Sequence, residues 1–172
     1  PASHCYQLRV RNRNLEIDAE FGDAGPTLLA VGTVAGGAVH ATQKSSARAL
    51  RGELRLGTSR HALDGGVASF DYSNGLLARD TAWRWASAHS PDIGFNLQAG
   101  YFGAQENALW LDGQLIPLAA AQFDFDPQQP MAAWQVRTED GLLDLTFQPE
   151  GLRREDKNLL VVVSRYVQPI GV

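Results

Sequence analysis

The chain has 172 residues, with 15 lysines and arginines against 19 aspartates and glutamates, a formal charge of −4. That length suits a single domain, and 44% hydrophobic against 20% charged residues is apolar enough for a core and too lightly charged for a disordered chain. A pI near 5.5 excludes a protein that grips nucleic acid through a basic surface, and no apolar run approaches the roughly 20 residues that span a bilayer. One cysteine, Cys5, excludes an internal disulfide and a cysteine-based zinc site.

In chain order, the hydrophobic period is two from the start. Leu15, Ile17, Ala19 and Phe21 alternate with Glu16, Asp18 and Glu20, the pattern of a strand with one buried and one wet face. The stretch from Gly22 to Gly37, rich in Gly, Ala, Thr and Val, reads as a glycine-bent strand pair or as a loose connection. Leu50, Leu54 and Leu56 fall between Arg51, Glu53 and Arg55, and Gly57-Thr58 closes that strand. Asp64-Gly65-Gly66 separates His61–Leu63 from Val67–Asp71, and Ser73-Asn74-Gly75 predicts a turn. Ile93, Phe95, Leu97 and Ala99 alternate with Gly94, Asn96 and Gln98.

Asp112-Gly113, between Asn107–Leu111 and Gln114–Leu118, predicts a type I′ hairpin, whose two central residues take positive φ. Glu139-Asp140-Gly141 does the same between Trp134–Thr138 and Leu142–Phe147, and Pro127 to Pro130 is a polar loop before it. No helical period is sustained; Ser45–Leu50 and Gly151–Lys157 are the nearest to one. About ten strands at short spacing predict one antiparallel all-β unit over residues 1–172, a barrel or a strongly curved sheet, with no internal boundary.

The segment Ser69 to Ala88 is the densest in functional side chains. A strand over Thr81–Ala88 puts Trp83 and Trp85 on one face and Arg84 on the other. The tryptophans then line a ligand cavity in which Arg84 or Arg79 fixes an acidic group, or they are core and the arginine is solvated. Asp71, ahead of the Ser-Asn-Gly turn, is a general acid if it sits at the rim of an apolar cavity, or a turn-capping residue if it does not. Asn96 and Gln98 share a face, and Tyr101, Glu106, Asn107 and Trp110 follow closely. That face is either the solvent side or the polar lining of a lumen. No phosphate-binding glycine loop, HExxH, CxxC or GxSxG occurs, and His4, His40, His61 and His89 are scattered without metal-ligand spacing. Neither a metal nor a cofactor is expected.

Ala68-Ser69-Phe70-Asp71-Tyr72, Gly75, Ala78-Arg79, Thr81 and Trp83-Arg84-Trp85-Ala86-Ser87-Ala88 together resemble the signature block of the bacterial family called domain of unknown function 2804. Further blocks are Gly94-Phe95-Asn96-Leu97, Glu106-Asn107-Ala108-Leu109-Trp110 with Asp112-Gly113, Asp144-Leu145-Thr146-Phe147 with Pro149-Glu150-Gly151, and Asn158-Leu159 through Gln168-Pro169. Members of that family are about twice as long, so the resemblance implies the C-terminal portion of a two-domain protein whose partner is a missing N-terminal half. Pro1 in first place and the stop soon after the apolar run Leu159 to Val163 fit a piece of a longer protein.

More distantly, an Asp followed by an aromatic-type residue, a Gly and a later Trp-x-Trp is similar to the carotenoid hydratase and tocopherol cyclase group. That similarity implies paired lipocalin-like (calycin-type) barrels and acid–base chemistry on an isoprenoid-like or lipid-like molecule. The hydratase pattern has Asp-His where this chain has Asp71-Tyr72, and Trp-Gly where it has Asn74-Gly75. What carries over is Asp71 as acid, Tyr72 as its hydrogen-bonding partner, and Trp83 and Trp85 as cavity wall.

Three functions follow. An enzyme for hydration, cyclisation or isomerisation needs Asp71 without a fixed counter-ion facing an apolar lumen. A non-catalytic carrier or sensor of a hydrophobic small molecule needs the same cavity with Asp71 already bonded. A structural barrel half needs neither and leaves open sheet edges. With no secretory leader in view, the expected location is cytoplasmic.

Overall fold

The computed structural model describes residues 5–22 and 25–172; His4 and part of the Gly22–Gly37 stretch lie outside them. The chain divides into two compact units, Pro1–Leu118 and Ala119–Val172.

The first unit contains β1 (Tyr6–Arg11), β2 (Leu15–Phe21), β3 (Leu28–Gly32), β4 (Val39–Leu56), β5 (Ser59–Ala62), β6 (Gly66–Leu76), β7 (Arg84–His89), β8 (Ile93–Ala99), β9 (Ala108–Leu111) and β10 (Gln114–Pro117). A 3₁₀ turn, Gly103–Glu106, is the one helical element among the described residues. The 18-residue β4 is the centre of a six-stranded antiparallel sheet. It pairs with β3 and β6 through its first part, and with β2 and β5 through its last. A second sheet has the order β10-β9-β8-β7.

Turn chemistry explains the hairpins. Asp112 and Gly113 have φ of 49° and 74°, and Leu111 pairs with Gln114 across them, as a type I′ turn requires. Gly57, φ 59°, closes β4 onto β5, where Leu56 pairs with Ser59. The stretch Ser73-Asn74-Gly75 is not a turn: it continues β6 and pairs with Thr42, Ala41 and His40. Gly75 is required there, because at φ 149° an added Cβ would run into the carbonyl oxygen of Val39. Ser45–Leu50 is likewise strand, not helix. Its register shifts between Ser45 and Arg48, and such a bulge interrupts the period of two.

The bulge decides which way β4 points its charges. His40, Thr42, Lys44 and Ser46 face the second sheet, whereas Arg48 turns to the opposite face. There its guanidinium lies 5.2 Å from the ring centre of Tyr6 and 5.9 Å from that of Phe70. Phe21, Tyr6, Phe70 and Tyr72 form a continuous run of stacked rings on that side. Farther along the sheet, β1, β2, β4 and β5 carry a self-complementary charge ladder in which Arg9 and Arg11 reach Asp18, Arg55 reaches Glu16 and Arg60 reaches Glu53.

The second unit contains β11 (Ala121–Asp124), β12 (Trp134–Thr138), β13 (Asp144–Phe147), β14 (Pro149–Asn158) and β15 (Val163–Gly171). β11, β12 and β13 form one antiparallel sheet, and β14 with β15 a two-stranded ribbon. Asp140 organises the β12–β13 turn by accepting from the Thr138 hydroxyl and the Ala119 and Leu142 amides, which hold its carboxyl below the usual carboxylate range. Trp134 stacks on Phe125 at 3.9 Å and meets Phe147 edge-on. Gly151–Lys157, the other expected helical stretch, lies within β14.

The protein is therefore antiparallel all-β, as expected, but the described sheets are open and none closes into a barrel. Closure needs the two edge strands of a sheet to pair with each other. Here β1 and β3 are the two ends of one path, and β10 and β7 the ends of the other.

Candidate functional site

Between β4 and β8 the interior is polar. Asn96 and Gln98, the amides that share a strand face, are both buried on the side toward β4. That face is therefore not the solvent side; with no closed barrel it lines no lumen, and it packs in the interior instead. Opposite them stand buried His40, Thr42, Lys44 and Ser46. Apolar side chains cannot fill such a seam, so each polar group must find a partner inside it.

Lys44 is central. Its ammonium lies 2.7 Å from Asp71 Oδ2 and 3.1 Å from Glu106 Oε2, with the lysine side chain 7% exposed and that of Glu106 6%. Strand register delivers the first contact, since Asp71 on β6 sits directly across from Lys44 on β4. The 3₁₀ turn delivers the second by folding Glu106 back under the sheet. A lysine is buried this completely only when paired. Here two carboxylates share one ammonium, which leaves the trio with a formal charge of −1.

Hydrogen bonds extend the trio outward. Asn96 donates from Nδ2 to the Glu106 carbonyl at 2.7 Å and accepts from Trp85 Nε1 on Oδ1 at 2.8 Å. Asn107 Oδ1 accepts from the Gln98 amide, and Gln98 Oε1 accepts from the Gly103 amide. Ser46 Oγ lies 2.7 Å from His89 Nδ1, and burial pushes the His89 pKa down, which favours the neutral ring. At the other end of the same face, His40 packs edge-on against Tyr101 and Phe102. Its Nδ1 is buried with no hydrogen-bond partner among the described residues.

The seam reaches solvent at Asp71, whose side chain is 46% exposed, and at Trp85, which is 44% exposed. Asp71, Glu106, Asn96 and Trp85 are thus drawn into one connected network, with Asn107 behind it. Other expected residues fall elsewhere. Tyr72 pairs across from Gln43, so it leaves β6 on the face opposite Asp71; its hydroxyl accepts from Asn74. Trp83 precedes β7 and leans on Tyr101 at 6.3 Å. Arg84 pairs across from Ala99, and so lies on the other face of β7 from Trp85. Arg79 is exposed in the connection between β6 and β7. Trp110 is buried and donates to the Pro26 carbonyl. Lys44 is the ion-pair partner of Asp71, and neither its place nor that of His89 is visible in the motifs.

Fold and seam together define an open antiparallel all-β protein with a charged interior. The chain matches the sequence model of the family "Domain of unknown function (DUF2804)" over residues 3–172, and it belongs to that family. No curated protein and no solved structure matches it, so nothing in these comparisons links it to the carotenoid hydratase and tocopherol cyclase group.

Proposed function

We propose that the chain binds a small, largely hydrophobic molecule bearing a hydroxyl or amine end, without transforming it, at the mouth marked by Asp71 and Trp85. The observation that carries this reading is the buried Lys44 shared between Asp71 and Glu106. A carboxylate has about four acceptor positions. Asp71 uses Oδ2 on Lys44 and remains half-exposed, so it retains acceptor capacity toward a ligand donor. A net charge of −1 disfavours an anionic head group, and the indole face of Trp85 suits an apolar body. Buried His40 Nδ1 offers a second unpartnered position on the same strand face. The ion pair also supplies the fixed counter-ion that the acid-catalyst reading requires to be absent, which favours carrier or sensor over enzyme. Lipocalin-like architecture belongs to the same proposal, with a partner half of the protein completing the ligand cavity.

The test is a titration of the full chain with a long-chain isoprenoid alcohol and with the matching carboxylic acid, read by tryptophan fluorescence against a Trp85→Phe control. Tighter binding of the alcohol, with the signal lost in the control, is the expected outcome; equal or preferential binding of the acid overturns it. A second reading, that these sheets are a structural part whose faces are covered by further protein, is favoured by one observation. Leu29, Val31, Leu76 and Leu77 are all at least half exposed on or beside the strands β3 and β6 that flank β4.

A further inference from the structure

We infer that the tip of the β14–β15 ribbon is a peripheral attachment site for an anionic lipid surface. The tip is the run Leu159-Leu160-Val161-Val162-Val163, five apolar residues without a polar interruption. All five are more than half exposed, Leu160 at 98% and Val161 at 90%. Isolated exposed hydrophobics are ordinary, but a contiguous run at the apex of a hairpin is not.

Two further features fit a bilayer. The first is the backbone, whose free N–H groups are costly in an apolar medium. In the tip the Leu159 amide donates to the Val162 carbonyl, the Val161 amide to the Leu159 carbonyl, and the Leu160 amide to Asn158 Oδ1. Leu160 takes φ 68° to close this arrangement. The apex thus offers apolar side chains outward while three of its donors are satisfied within. The second is charge. Behind the tip, the ribbon carries Arg153, Arg154, Lys157 and Arg165 against Glu150, Glu155 and Asp156, an excess of one positive charge in a chain of net charge −4, with Glu150 at the end away from the tip. Glu155 is engaged by Lys157 and Arg153, and Asp156 by Arg165. Arg154 has no ion-pair partner among the described residues. An apolar apex with cations set back from it matches acyl chains under a layer of anionic head groups.

The test is co-sedimentation of the full chain with vesicles of mixed phosphatidylcholine and phosphatidylserine, and with pure phosphatidylcholine. The double variant Leu160→Ser/Val161→Ser serves as the control, because those side chains are too exposed to carry the fold; circular dichroism checks that it is folded. The wild type should sediment with the mixed vesicles, less so at high salt, and the variant should bind at least about tenfold more weakly. Three results overturn the inference: no sedimentation of the wild type, equal sedimentation of the variant, or a concentration-dependent oligomer by light scattering that the variant abolishes. The last makes the tip a contact between copies.

Discussion

Removing the ammonium of Lys44 would leave the buried carboxylate of Glu106 without its counter-charge. Lys44→Met should therefore cost about 3–5 kcal/mol by urea unfolding, and pairing it with Glu106→Leu should restore most of that loss. In the same region, burial lowers the pKa of His89. Its folded pKa lies below its unfolded value, so between the two the unfolded chain binds more protons and stability rises with pH. Stability should fall as pH drops below about 6.5, and His89→Gln should flatten that slope in thermal melts. Asp71, Glu106, Asn96 and Trp85 stood out in the sequence by residue type, because carboxylates, amides and indoles grouped on short strands are conspicuous. Lys44 did not. In Val39–Ser46, both faces of the strand carry polar residues, and a period read from apolar side chains gives no signal there.

Elements were legible where local chemistry decides them. Asp112-Gly113 and Gly57-Thr58 made the hairpins that their φ requirements dictate. Ser73-Asn74-Gly75 has the same composition and makes strand, since pairing with β4 outweighs the local turn preference. The bulge at Ser45–Arg48 was invisible for a related reason: its spacing imitates a helical turn, and only the partner strand shows otherwise. Packing between β4 and β8 is close at Gly94, where an added Cβ would collide with Ser46 Oγ and come within 2.8 Å of His89 Nδ1. Gly94→Ala should destabilise by about 1–3 kcal/mol in chemical denaturation, with the His89 ring resonances shifting as the Ser46 contact is displaced.

For the molecule as a whole, alternation predicted the class, antiparallel all-β, but not whether the sheets close. A period of two fixes which side chains share a face and is silent on which edges meet. In the six-stranded sheet β4 pairs with four partners at different points along its length, and the edge strands of that sheet do not pair with each other. The same topology places polar side chains inside, so the interior between β4 and β8 is a charged seam whose Asp71 and Trp85 are in part exposed to solvent.

The proposal that a molecule binds where Asp71 and Trp85 reach solvent is tested most directly by native mass spectrometry of the protein purified from its own host, alongside Asp71→Ala and Trp85→Ala variants prepared identically. The seam account predicts a co-purifying adduct of hydrophobic mass on the wild type, depleted in both variants. An adduct retained equally by all three, or none on any of them, would contradict it.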